Sequence, residues 1–230
     1  MQQMQAATLR AYTILHQLQP TWGGALILNI GLNEQGSALA FASNIAGAAC
    51  LTIEPDPATA RAALRTTACD FVVNTLDEAL RALKNEIRKH RPLSVGLEGN
   101  PAPILDELLA RGVAPQLVAT TINDPALTTF QSQGTPILTL TNDLAIPGAV
   151  NTTNLLNNLL NQNHWTTQDL NFPDTKTLHN FDASALAQLP PEDTLRRTWL
   201  TAAPRLFSRE RPPHRVLYLT PEERAALEKK

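Results

Sequence analysis

The chain has 230 residues, of which 43% are hydrophobic and only 5% aromatic, a mix that suits helices packed on a sheet and excludes an all-β sandwich. Its formal charge of −2 leaves no electrostatic footprint for nucleic acid or an anionic membrane. No apolar run approaches the roughly 20 residues that span a bilayer, and MQQMQAATLRAY lacks the regions of a signal peptide, so a cytoplasmic protein is expected.

In chain order, Leu9, Tyr12, Ile14, Leu15 and Leu18 recur at helical spacing over Ala7–Leu18, a helix ending before Pro20. Ala25–Ile30 is a short apolar run fit for a buried parallel strand. It ends at Gly31, turns through Leu32–Gly36 and opens a small-residue helix over Ser37–Gly47; Cys50–Ile53 is the next strand and ends in Glu54. Strand, glycine turn, helix, strand and an acid about twenty residues on form the dinucleotide-binding arrangement, in which helix amides hold a pyrophosphate and the carboxylate accepts from ribose hydroxyls. The fingerprint asks for a second glycine two residues after Gly31, where this chain has Asn33. An ordinary α/β turn is the competing reading.

Asp56 and Pro57 start a helix over Ala58–Thr66, and Phe71–Val73 is a third strand. Asn74 or Thr75 caps a helix over Leu76–Lys89, acidic early and basic late. Leu93–Leu97, a helix over Ala102–Ala110 stopped by Gly112, and Gln116–Ala119 continue the alternation. Asn123-Asp124-Pro125 reads as a loop before a sixth strand, Pro136–Thr141. The expected fold is a doubly wound, mainly parallel Rossmann-like α/β sheet over residues 1–146.

Residues 147–230 are expected as a helical extension packing on the sheet or on a partner. It holds a helix over Val150–Asn163, a polar loop to about Asp182, and helical segments at Ala183–Gln188, Pro191–Ala202 and Pro221–Lys229. Between the last two, Ser208–Arg215 is basic and proline-broken; with Arg196, Arg197 and Arg205 it reads as a solvated or partner-facing surface. Cys50 and Cys69 have no metal-ligand spacing and read as buried small hydrophobes. His16, His90, His164, His179 and His214 are scattered without acid pairing, and none is expected as a metal ligand or base.

The wording of the glycine turn and of the segments beyond it resembles one family, urocanase (urocanate hydratase), in its NAD-binding domain. The family's Gly-Leu-Gly-Gly-Met-Gly-Gly-Ala stands here as GLNEQGSA over Gly31–Ala38. Its MAGAACL and strand-end acid match Ile45–Leu51 and Glu54; further matches are Ser94–Leu97, Gly99-Asn100 and Glu107–Val118. The likeness runs from Thr21 to Pro125.

The resemblance implies NAD as cofactor, used in that family as an electrophile toward urocanate, a lyase step of histidine catabolism. It places Glu34, Gln35 and Gly36 where the pyrophosphate is cradled, with Gly31 and Ser37 completing the turn. Glu54 takes the ribose and Asn100-Pro101 the middle of the cofactor. Thr120–Asn123 replaces a longer family segment, with Thr121 among the cofactor residues. Glu54 could equally be a strand-end acid, and Asn100 the N-cap of the helix after it. Glu34 puts a carboxylate beside the phosphate unless it turns outward, and Thr59 stands where the family has arginine, with Arg61 nearby. The catalytic cysteine region and glycine-rich segments of the larger urocanase core have no counterpart, so a complete urocanase is not expected. Three readings are open: an NAD-binding relative that does lyase chemistry only with a partner chain, a second copy or the extension; a cofactor-free scaffold module; and, last, an independent oxidoreductase, which lacks a Tyr-Lys or Ser set.

Overall fold

A computed structural model describes residues 2–141 and 143–228. After helix α1 (Gln2–Leu18), the alternation runs β1 (Leu26–Ile30), α2 (Glu34–Ala46), β2 (Ala49–Glu54), α3 (Pro57–Thr66), β3 (Phe71–Val73) and α4 (Leu76–Arg88). It continues through β4 (Leu93–Glu98), α5 (Pro101–Ala110), β5 (Leu117–Thr120), α6 (Pro125–Ser132) and β6 (Ile137–Thr139). The six strands form one parallel sheet in the order β3-β4-β2-β1-β5-β6. The doubly wound α/β fold expected from the sequence is the fold observed.

Each central strand is apolar because it is covered on both faces. In β1, Leu26, Leu28 and Ile30 pack under α4, α5 and α6, whereas Ile27 joins α1 and α2 on the other face. α2 is buried from Gly36 to Ser43, and its alanines bring the helix close to the sheet. It ends at Gly47, whose φ of 88° is the left-handed cap that glycine adopts without a Cβ clash.

Three crossover helices start with the same device at the carboxyl edge of the sheet. Asp56, Asn100 and Asp124 each accept a backbone N–H of the first turn, and Pro57, Pro101 and Pro125 each fill the first helical position. The third of these helices, α6, is absent from the sequence reading, which stopped at a turn.

The remaining elements are α7 (Thr152–Gln162), β7 (Thr166–Asn171), α8 (Thr175–Gln188), α9 (Thr194–Leu206), β8 (His214–Leu219) and α10 (Pro221–Glu228). Helices dominate as expected, but β7 and β8 form an antiparallel pair where a polar loop and a proline-broken stretch were expected. β7 is TTQDLN and exposes much of its length, so no apolar alternation marks it; its ladder to β8 supplies the order. α8 also starts at Thr175, with Asp174 as cap, well before Ala183. The expected end of the last helix at Lys229 lies outside the described residues.

These elements do not stand apart from the sheet. α1 contacts α2 on one side and α7, α9 and β8 on the other. Leu9, Tyr12 and Leu15 of α1 share one apolar cluster with Trp199, Leu200, Val216 and Tyr218. Among the described residues no helix is long and apolar enough to cross a membrane.

Candidate functional site

Parallel strands end together, so the segments after β1, β2, β4 and β5 line one edge. From β1 the chain moves to β2 on one side, while β5 enters on the other. The crevice beyond the carboxyl ends of β1 and β5 is therefore the switch point at which doubly wound sheets bind ligands.

The turn after β1 is built by close approach. Gly31 has φ 97°, its N–H donates to Ile53 O (2.9 Å), and an added Cβ would lie 2.9 Å from Thr121 Oγ1. A Cβ on Gly36 would lie 1.9 Å from Gly31 O, so the first turn of α2 rests directly on the end of β1. Thr121 closes the β5 side by donating its hydroxyl to Ile30 O (3.2 Å).

α2 begins at Glu34, three residues earlier than expected, because Asn33 is its cap. Asn33 Oδ1 accepts from Gly36 N–H (2.9 Å), and its carbonyl accepts from Ser37 N–H (2.8 Å). The N–H groups of Glu34 and Gln35, the first two helical positions, have no intrahelical acceptor, and both residues are exposed. Ser37 faces inward, donating its hydroxyl to Leu32 O (3.0 Å).

Glu54 is 6% exposed. Its Oε2 accepts from Leu32 N–H (2.6 Å) and its Oε1 from Asp56 N–H (2.9 Å), so one carboxylate ties the glycine turn to the start of α3. A carboxylate offers about four lone-pair sites, which leaves acceptor capacity for a ligand hydroxyl. Gly99 N–H donates to Glu54 O (3.0 Å), joining the end of β4 to the same corner. Asn100 is exposed and caps α5 by accepting from Ala102 N–H (3.3 Å); Pro101 is buried behind it. Gly31, Gly36, Ser37, Glu54 and Thr121 thus converge on the turn, Glu34 and Gln35 form its open rim, and Asn100-Pro101 reaches it only through Gly99.

A cavity of about 600 Å³ opens beside that rim. Glu34 and Gln35 bound it with Arg10 of α1, Thr139 at the end of β6, Thr152 of α7 and Tyr218 of β8. Burial pushes the Tyr218 phenol above its ordinary range, with the Thr13 hydroxyl beside it pulling it down. Sequence reading missed this lining. Thr139 sits where the strand-end rule points, and Tyr218 lies in the short apolar run at residues 216–219, a strand signal that the sequence reading passed over.

The basic C-terminal surface is also corrected. Arg196 is buried over the Trp165 ring (4.4 Å) and bonded to Asp193 and Glu223. Arg197 donates to Leu186 O and Leu189 O, and Arg215 makes two 2.8 Å bonds to Asp182. His214 does pair with an acid, lying 3.6 Å from Glu210. Cys50 and Cys69 are buried free thiols, pushed up by burial to about 11 and about 12. Among the described residues no group of three or more His, Cys, Asp or Glu could hold a metal.

A solved structure provisionally assigned as an enoyl reductase domain of a polyketide synthase is similar at 14% identity and TM-score 0.45, over 81% of this chain and 97% of that one. The urocanase Rossmann-like domain family matches residues 6–130, more than half of the 230, and takes in the turn, Glu54, Asn100 and Thr121: the chain belongs to that family.

Proposed function

We propose that this chain is a cofactor-binding domain that holds NAD(H) at the β1–β5 edge. The observation that supports it most is Glu54, an acid at the end of β2 held by Leu32 N–H against the glycine turn, with acceptor capacity left over. The residues present fit the group. Gly36 lets α2 sit on β1, the Glu34 and Gln35 amides face the rim in the positive field of the helix start, and Glu34 is exposed rather than folded into the turn.

In this reading Glu54 accepts from a ribose hydroxyl, the α2 amides bind phosphate, and Thr121 keeps the β5 side of the crevice narrow. Asn100 stands at the adjoining strand end. When bound, NAD supplies an electrophilic nicotinamide ring. The 600 Å³ cavity beside the rim is a walled space lined by Arg10. Family membership supports urocanate-type lyase chemistry in histidine catabolism as the setting, in the cytoplasm. The described residues supply the cofactor side of such a site, and a partner chain, or a second copy, supplies the rest.

The test is calorimetric titration with NAD+ and NADH, after a denatured extract is checked for co-purified nucleotide. Micromolar binding that weakens at least tenfold in Glu54→Gln, with the melting transition of the variant still cooperative, is the expected result. One observation favours a second reading, a cofactor-free scaffold: Asn33 Oδ1 already occupies Gly36 N–H, an amide a phosphate could use. Absence of both bound nucleotide and binding heat would select that reading.

A further inference from the structure

We infer that the cleft between α2, the end of α3 and residues 205–210 is a second ligand site, for a small anion with an apolar body, such as an acyl or aromatic carboxylate or phosphate ester. The cleft encloses about 520 Å³, within the range of small-molecule sites. Of the residues lining it, only Glu34 also lines the cavity beside the glycine turn, so the two are separate spaces.

Its floor is aromatic and fixed. Phe41 and Phe207 lie with ring centroids 5.6 Å apart, and Trp199 backs Phe207 at 5.8 Å. Both lining rings are almost fully buried, and Leu206 lies beside them. Packed in this way, the rings make a rigid apolar floor.

Its rim is cationic. Arg65 comes from the last turn of α3, Arg205 from α9 and Arg209 from the segment after α9. Arg65 and Arg209 have no carboxylate within ion-pair reach among the described residues, and the Arg205 guanidinium donates to the Asn44 amide oxygen (3.3 Å). The α3 helix end accounts for Arg65 alone. Three guanidinium groups drawn to one apolar cleft match the planar, two-pronged recognition of carboxylate or phosphate.

Two carboxylates also line the cleft. Glu210 is engaged on its own side, accepting from Gln5 Nε2 (2.5 Å) and facing His214, and burial pushes its carboxyl above the usual range. Glu34 lies in the positive field at the start of α2. Three arginines face these two carboxylates, so the lining keeps a positive balance.

The test is calorimetric titration of the full chain with decanoate, decyl phosphate and decyltrimethylammonium. Micromolar binding of decanoate or decyl phosphate, none of the cation, and at least tenfold weakening in the Arg65→Gln/Arg209→Gln double variant is the expected result; whichever anion binds tighter names the head group. Arg10→Gln, in the other cavity, should leave it unchanged. No heat from either anion, equal binding of the cation, or an unaltered affinity in the double variant would overturn the assignment.

Discussion

The sheet edge and the C-terminal elements are held together by different means. At the edge, contacts are made by backbone and by what side chains leave out: Gly36 against Gly31 O, Gly31 under Thr121, a helix of alanines on β1. Around β7, α9 and β8, order comes from large and charged groups placed far apart in sequence. Arg196 stacks on Trp165, Trp199 donates to Val216 O (2.7 Å), and Gln5 of α1 bridges Arg215 and Glu210. The first kind of contact tolerates no added atom. The second tolerates no removed partner.

The largest effect is expected where a buried partner is taken away. Arg215 is 1% exposed and held by both oxygens of Asp182, 6% exposed. Asp182→Ala leaves a buried guanidinium with only Gln5 as acceptor, and losses of about 3–5 kcal/mol are usual for a broken buried pair. Denaturant unfolding measures it, and the double variant Asp182→Leu/Arg215→Met should recover most of the loss, since buried pairs are often replaceable by apolar groups. A single-variant cost near zero would show that the charges do not hold the C-terminal elements.

At the edge the corresponding change adds one carbon. The Cβ of Gly36→Ala would meet Gly31 O at 1.9 Å, and because that atom is backbone, α2 must move off β1. Overpacking of this kind costs about 1–3 kcal/mol. Under the proposed function it also abolishes NAD binding, whereas Asp182→Ala leaves the affinity of the folded fraction unaltered. Measuring both quantities on both variants separates the two regions.

The difference between the regions also decides what could be read from sequence. β1, β2 and β4 were legible because each is a short apolar run between turn signals, and Asp56, Thr75 and Asn100 announce their helices. The Gly31–Gly36 spacing was legible because close approach needs glycine whatever the ligand. α6 was not, since PALTTFQS offers only Leu127 and Phe130 as a recurrent apolar pair. β7 was not, since its order comes from β8 about forty residues later, a non-local pairing that no local pattern encodes. The roles of Arg196 and Arg215 were hidden for the same reason: charge in sequence reads as surface, and only the fold brings Glu223 and Asp182 to them. Within the site, the position of Glu54 was legible but its two internal hydrogen bonds were not.

The smallest structural change is the most informative about the turn. Asn33→Ala removes the cap on Gly36 N–H and should cost about 1 kcal/mol, whereas Asn33→Gly costs only a few tenths. Either variant frees the amide. If the turn binds a pyrophosphate, Asn33→Gly also restores the glycine through which phosphate approaches the helix start, so NAD affinity should rise in Asn33→Gly while stability stays near wild type. Asn33→Ala keeps a Cβ in that path and should gain less. Equal, unaltered affinities in both variants would mean that Asn33 competes with nothing, and the cap would then be simply how this helix begins. A gain confined to the glycine variant would make Asn33 the one residue at which this chain has traded phosphate contact for a self-sufficient turn.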